Sequence, residues 1–178
     1  MDYDLIYRDE KMELCEDFID VGYMAENIEV TTLEGEALEV KRSHQDGSMT
    51  ILTSFPNCED FEREILALDT FLSHLQVIVH SYLIFDTKSD AVESLAKKLK
   101  TFKALIDSER EFGPMYGTEI ACGSLEDKLT KSLFLISKDG AIFYLDMPKD
   151  LEKPIDLDRL QIELNKAYIT YTGVGCHD

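Results

Sequence analysis

Alternating apolar and polar residues over Leu5–Leu14, broken at Glu10-Lys11, and over Ile28–Val40, broken at Glu34-Gly35, predict two hairpins ahead of the main core. Beyond them the pattern changes. Met49–Thr53 is a short run of the kind a buried strand shows, and Gln76–Phe85 is another. Between them, Glu59–Leu75 sets Phe61, Ile65, Leu68, Leu72 and Leu75 on one helical stripe. A strand, helix and strand of this length predict a parallel pair with a right-handed crossover. Ser89–Phe102 predicts a second helix, with Ser89 and Asp90 as caps and Val92, Leu95, Ala96 and Leu99 facing inward. Lys131–Ser137 and Ala141–Asp146 flank Lys138-Asp139-Gly140, whose Asp-Gly suits a tight hairpin. Pro154 precedes a last helix carrying Leu157, Leu160, Ile162 and Leu164, and a polar, glycine-bearing tail follows from Thr172 to Asp178. The resulting order, β-α-β-α-β-β-α behind a hairpin extension, predicts an α/β fold with a mixed central sheet flanked by helices. With no repeat or long linker, residues 1–178 are expected to form one domain, 1–22 being the hairpin extension and 169–178 the C-terminal tail.

Charge narrows the partners. The 18 Lys plus Arg against 36 Asp plus Glu give a formal charge of -18, which disfavours nucleic acid and anionic membrane surfaces. Met1-Asp2-Tyr3-Asp4-Leu5 lacks the basic and apolar regions of a signal peptide, and no apolar run has the length of a membrane span, so a cytoplasmic protein is expected. The four cysteines, at positions 15, 58, 122 and 176, form no CxxC pair, and the histidines at 44, 74, 80 and 177 show no ligand spacing. No metal and no cofactor are expected.

The candidate chemistry therefore rests on single cysteines. Cys58, in Ser54-Phe55-Pro56-Asn57-Cys58, falls where a strand ends and a helix begins. Unpaired N–H groups at a helix start carry partial positive charge and favour a thiolate. The same residues also read as an ordinary acidic first turn, with Asn57 as N-cap and Glu59 and Asp60 opposing thiolate formation. Cys15 reads as a small buried residue of the front hairpin, and Cys122, before Gly123, as either a bystander or a partner thiol. Cys176 on the tail could resolve a sulfenic acid, while His177 and Asp178 beside it suggest metal binding only faintly. His80 reads as a hydrogen-bonded core residue, and the acidic cluster Glu59–Glu64 as a solvated helix face.

Further blocks carry a family resemblance. Leu5-Ile6-Tyr7-Arg8 leads to Asp20-Val21-Gly22 and Ala25-Glu26-Asn27-Ile28. Later come Phe112-Gly113-Pro114-Met115-Tyr116-Gly117, then Glu119-Ile120, Gly123, Leu125, Leu133-Phe134-Leu135, Lys138-Asp139-Gly140, Tyr144 and Pro148. In order and separation these blocks resemble the bacterial thiol peroxidase branch of the peroxiredoxins, over most of the chain. The resemblance implies a thioredoxin-like fold and a homodimer packed through loops near the site. It also implies a peroxidatic cysteine in the first helical turn after the Phe-Pro strand end, a threonine just before it, and an arginine that polarises the peroxide.

Each of those positions is altered here. The loop between Pro56 and the cysteine is reduced to Asn57, and alignment on the helix stripe puts Phe61 at the catalytic position. Lys131 stands where the arginine would be, keeping the charge without the planar fork. No cysteine lies on the Ser89–Phe102 helix, where the resolving thiol would sit. Two functions follow. One is reduction of hydroperoxides by Cys58, with Lys131 and Ser54 stabilising charge, Cys122 or Cys176 as possible resolving thiols, and a thioredoxin-like or small-thiol reductant. The other is a peroxidase fold that has lost its chemistry and works as a binding or regulatory protein.

Overall fold

The computed structural model describes residues 3–170, so the Thr172–Asp178 tail and Cys176 lie outside the described residues. The first hairpin pairs β1 (Leu5–Tyr7) with β2 (Glu10–Met12). Its turn is Arg8-Asp9, both at positive φ (50° and 65°), and not the expected Glu10-Lys11. Two left-handed residues give the primed turn whose twist matches paired strands. The second hairpin, β3 (Ile28–Thr32) with β4 (Ala37–Val40), turns at Gly35 as its alternation predicts.

The core strands follow. β5 (Met49–Ser54) pairs in parallel with β6 (Val79–Phe85) through the crossover helix α1 (Glu62–Ser73). All six residues of β5 are buried, because both faces of the sheet are covered. On one side Ile51, Leu83 and Leu133 pack against Ile65, Leu68 and Leu72 of α1. The residues next to them, Leu52, Ile84 and Phe134, face the opposite cluster with Phe112 and Tyr116.

After β6 the chain departs from the expected pattern. α2 (Asp90–Ala96), capped by Ser89 through the Val92 N–H, ends six residues before Phe102, and β7 (Lys103–Ile106) follows, parallel to β6. The cause is long-range. The buried Asp69 carboxylate of α1 accepts the backbone N–H groups of Lys100 (2.7 Å), Thr101 (3.0 Å) and Phe102 (2.9 Å), which holds the chain in a turn where helix was expected. A further short helix, α3 (Phe112–Tyr116), also escaped the pattern. Asp107 caps it, accepting from the N–H groups of Glu111, Phe112 and Gly113. Gly117 closes it at φ 73°, where a Cβ would lie 2.3 Å from the Asp17 carbonyl oxygen, so only glycine fits.

β8 (Ser132–Ile136) and β9 (Ile142–Asp146) form the antiparallel Lys138-Asp139-Gly140 hairpin beside β5. α4 (Leu157–Thr170) buries Leu160, Leu164 and Ala167, while Ile162 is exposed, contrary to expectation, because two residues along a helix turn the side chain to the opposite face. The mixed seven-stranded sheet has the order β4-β3-β7-β6-β5-β8-β9, with the β1-β2 hairpin outside it. The α/β thioredoxin-like arrangement expected from sequence is the one observed. No helix among the described residues is long and apolar enough to cross a membrane.

Candidate functional site

The loop after β5 decides where its side chains can go. Asn57 Oδ1 accepts the Asp60 N–H at 2.8 Å and closes a short turn, but α1 starts only at Glu62, with Phe61 as N-cap residue and no side chain capping it. Asn57 is thus the cap of a turn and not of the helix. Cys58 precedes the first helical residue by four positions, so the helix start that would favour a thiolate is not at its sulfur.

Cys58 is a buried free thiol whose Sγ faces the Glu59 carboxylate at 3.7 Å. Burial first, then the charge of Glu59, pushes its pKa up to about 11. At neutral pH it is a protonated thiol. It lines a cleft of about 410 Å³ with Asn57, Asp86, Val92 and Lys128.

Lys131 lies just before β8 and is fully buried. Its ammonium donates to Glu64 Oε1 at 2.6 Å and to the Lys153 carbonyl at 2.8 Å. It sits over the Phe61 ring, 5.1 Å from the centroid, and 5.8 Å from that of Phe55. The other Glu64 oxygen accepts the Ile155 N–H at 2.8 Å. A buried ammonium must be paired and hydrogen-bonded, and Glu64 and Lys153 meet that need. Phe61 is wedged among Tyr7 and Phe55, with ring centroids 5.6 and 5.5 Å away. The residue facing Lys131 from the start of α1 is therefore an aromatic ring.

The remaining candidates are committed elsewhere. Ser54 Oγ donates to the Thr130 carbonyl at 2.7 Å and contacts Ser132 Oγ at 2.6 Å, its register partner on β8. Thr53 Oγ1 is buried with no hydrogen-bond partner. Cys122 is exposed, on a segment bridged through Leu14 and Ile120 to the one carrying Cys15, and lines neither the Cys58 cleft nor the Phe61 cleft. Cys15 is exposed, not buried as its hairpin position suggested, because the strand pairing of β2 ends before it. Tyr116 is a core residue on the far side of the sheet, its hydroxyl donating to the Glu26 carbonyl at 2.7 Å.

Sequence reasoning missed Glu64. Its acidic cluster was expected to be a solvated face, yet Glu64 turns inward to Lys131 while Glu59 and Glu62 stay on the surface side. The available signal was spacing: Glu64 is three residues from Phe61, on the same face of α1. Also missed was the wall formed by Leu151, Pro154, Ile155 and Leu157, which completes a second cleft of about 500 Å³ with Tyr7, Phe61, Arg63 and Leu68. Among the described residues no group of His, Cys, Asp and Glu is arranged to hold a metal ion.

No family model matches the sequence, and no curated protein matches it either. Solved structures do resemble it. A peroxiredoxin-like protein from Aquifex aeolicus superposes with a TM-score of 0.82 at 15% identity, covering 92% of this chain and 96% of that one. A thiol peroxidase from Chromobacterium violaceum gives a TM-score of 0.80 at 15% identity over 93% of this chain and 97% of that one. The mitochondrial 2-Cys peroxiredoxin from Plasmodium falciparum gives 0.64 at 15% identity over 89% and 100%. The chain has the thioredoxin-like fold in the form that peroxiredoxins build.

Proposed function

We propose that this chain is a catalytically degenerate peroxiredoxin-fold protein that acts by binding and not by peroxide reduction. One observation carries the reading: the ring of Phe61 lies over the buried Lys131 ammonium, whose charge is already matched by Glu64 at 2.6 Å. A peroxidatic centre needs a thiolate and uncommitted donors for the departing oxygen. Here the cation has a fixed counter-charge, the Ser54 hydroxyl is bonded within the sheet, and the Cys58 thiol is raised to about 11.

The test is consumption of hydrogen peroxide and of an alkyl hydroperoxide with dithiothreitol or thioredoxin as reductant. The expected rate is that of reductant alone, unchanged by Cys58→Ser. Turnover that Cys58→Ser abolishes sinks the binding reading and supports the second one, a thiol peroxidase with Cys58 as nucleophile. That alternative draws on the fold and on the cleft that Cys58 shares with the cationic Lys128.

The binding reading extends to a cytoplasmic homodimer. The exposed Phe18, Val21, Tyr23 and Met24 offer apolar surface for such an association. Sedimentation of the purified chain as a monomer at working concentration removes the dimer from the reading.

A further inference from the structure

The cleft beside Phe61 has the size and lining of a small-molecule site. Its volume of about 500 Å³ falls within the roughly 300–1,000 Å³ usual for such sites. Phe61 and Leu68 of the α1 side face Leu151, Ile155 and Leu157 across it. The charged groups at its rim are unequal. Asp60 is engaged by Arg8 at 3.4 Å and by the Asn57 amide at 3.3 Å, and Glu64 by Lys131 and the Ile155 N–H. Arg63 is different. Of the five arginines in the chain, all among the described residues, Arg8, Arg42, Arg110 and Arg159 each meet a carboxylate, a carbonyl or a ring, whereas the exposed Arg63 side chain has no partner among the described residues. It stands in the first turn of a twelve-residue helix whose N-cap residue, Phe61, supplies no side-chain acceptor. A free planar guanidinium and uncapped backbone N–H groups at the mouth of an apolar cleft favour a carboxylate on an apolar body. Glu152 on the opposite wall disfavours a second negative charge.

We infer that this cleft binds an amphipathic monocarboxylate, its apolar part between Phe61, Leu68, Leu151 and Ile155 and its carboxylate on the Arg63 guanidinium. The assignment rests on the reading of the site as a binding site.

The test is calorimetric titration of the full chain with decanoate, decanol and decylamine, the seat of the ligand being followed by amide chemical shifts at Arg63, Leu151 and Ile155. Decanoate binds and shifts all three; decanol and decylamine bind at least about tenfold more weakly, about 1.4 kcal/mol. Arg63→Ala, an exposed position whose circular dichroism should be unchanged, weakens decanoate by about tenfold, and Arg63→Lys weakens it less because charge is kept without the fork. Equal affinity for decanoate and decanol, an Arg63→Ala variant that binds as the native chain does, or no binding at millimolar decanoate each overturns the inference. The peroxide assay fails separately: turnover with intact decanoate binding overturns the function proposed above and leaves the ligand assigned, whereas no turnover and no decanoate binding overturns the ligand alone.

Discussion

Replacing Glu64 by Gln removes the counter-charge of a fully buried ammonium. The pair lies at 2.6 Å, and at an effective dielectric constant of about 20 its attraction is roughly 6 kcal/mol. Desolvation of Lys131, whose side chain is 0% exposed, opposes most of that gain, so the intact pair contributes little net stability. Breaking it is another matter. With Glu64→Gln the ammonium keeps the Lys153 carbonyl and an amide oxygen but loses its charge partner, at a cost of about 3 kcal/mol. The lower end of the usual range applies because the Glu64 side chain is 20% exposed, so the site is not wholly cut off from solvent on that side. Lys131→Met costs less, about 1 kcal/mol, since a partly exposed carboxylate that still accepts the Ile155 N–H is left behind, and Met suits a site walled by Phe55 and Phe61. The double variant is expected within about 1 kcal/mol of the native chain. Thermal melting reads the difference directly, because about 3 kcal/mol corresponds to a drop of about 6–12 °C for a chain of this size. A Glu64→Gln cost below about 1 kcal/mol, as for a surface pair, would refute the reasoning, and so would additive costs in the double variant.

Three other outcomes follow from the same structure. Mass mapping of alkylated Cys58 should show a rate that climbs about tenfold per pH unit between about pH 7 and 9, because the thiol is pushed up to about 11; a plateau near neutrality would mean a stabilised thiolate. His44, stacked on His80 at a centroid distance of 3.9 Å, is held below its ordinary 6.5 by burial, then by His80 and Lys41, with Asp46 opposing. The folded state thus binds this proton less readily than the unfolded one. Its contribution is full above 6.5 and lost as pH falls through that value, so the urea midpoint should decline from about pH 7.5 to about 5.5, and His44→Asn should flatten the slope; a slope that survives the substitution assigns it elsewhere. Phe61→Cys should give a thiol that titrates near or above the ordinary value of about 8.5, whereas Phe61→Cys/Glu64→Gln should lower it by at least about one unit. Equal values in the two variants would show that Glu64 does not consume the field of Lys131.

The elements legible in the sequence were those whose burial follows from local periodicity. The stripe on α1, the all-buried β5 and the Asp-Gly hairpin between β8 and β9 each present their core face within one short window. The elements that escaped depend on buried carboxylates that lie outside their own windows. The end of α2 and the start of β7 are set by Asp69, more than thirty residues earlier, and α3 by its Asp107 cap. The same division holds at the site. Phe61 and Lys131 could be picked out by position, and Cys58 by its place after the strand, but a carboxylate that turns inward and one that faces water are the same letter in a sequence. Glu64 became distinguishable only when Lys131 and the Ile155 N–H, from two other segments, met it.

Those partners also explain one another. A cation buried beneath a helix start needs a negative charge, and in a thiol enzyme the thiolate and the departing oxygen anion can supply it. Here the Phe61 ring faces the ammonium, and Lys131 alone would be an uncompensated ion in an apolar setting. Glu64 removes that penalty from the first turn of the same helix, and its second oxygen ties down the segment at Ile155. In the loop after β5, Asn57 closes a turn at Asp60, and Cys58 lines a different cleft beside Glu59. Asn57, Phe61 and Glu64 thus act together: the buried charge of Lys131 is held by Glu64 and serves the packing of α1 against the 151–157 segment, beside the apolar cleft.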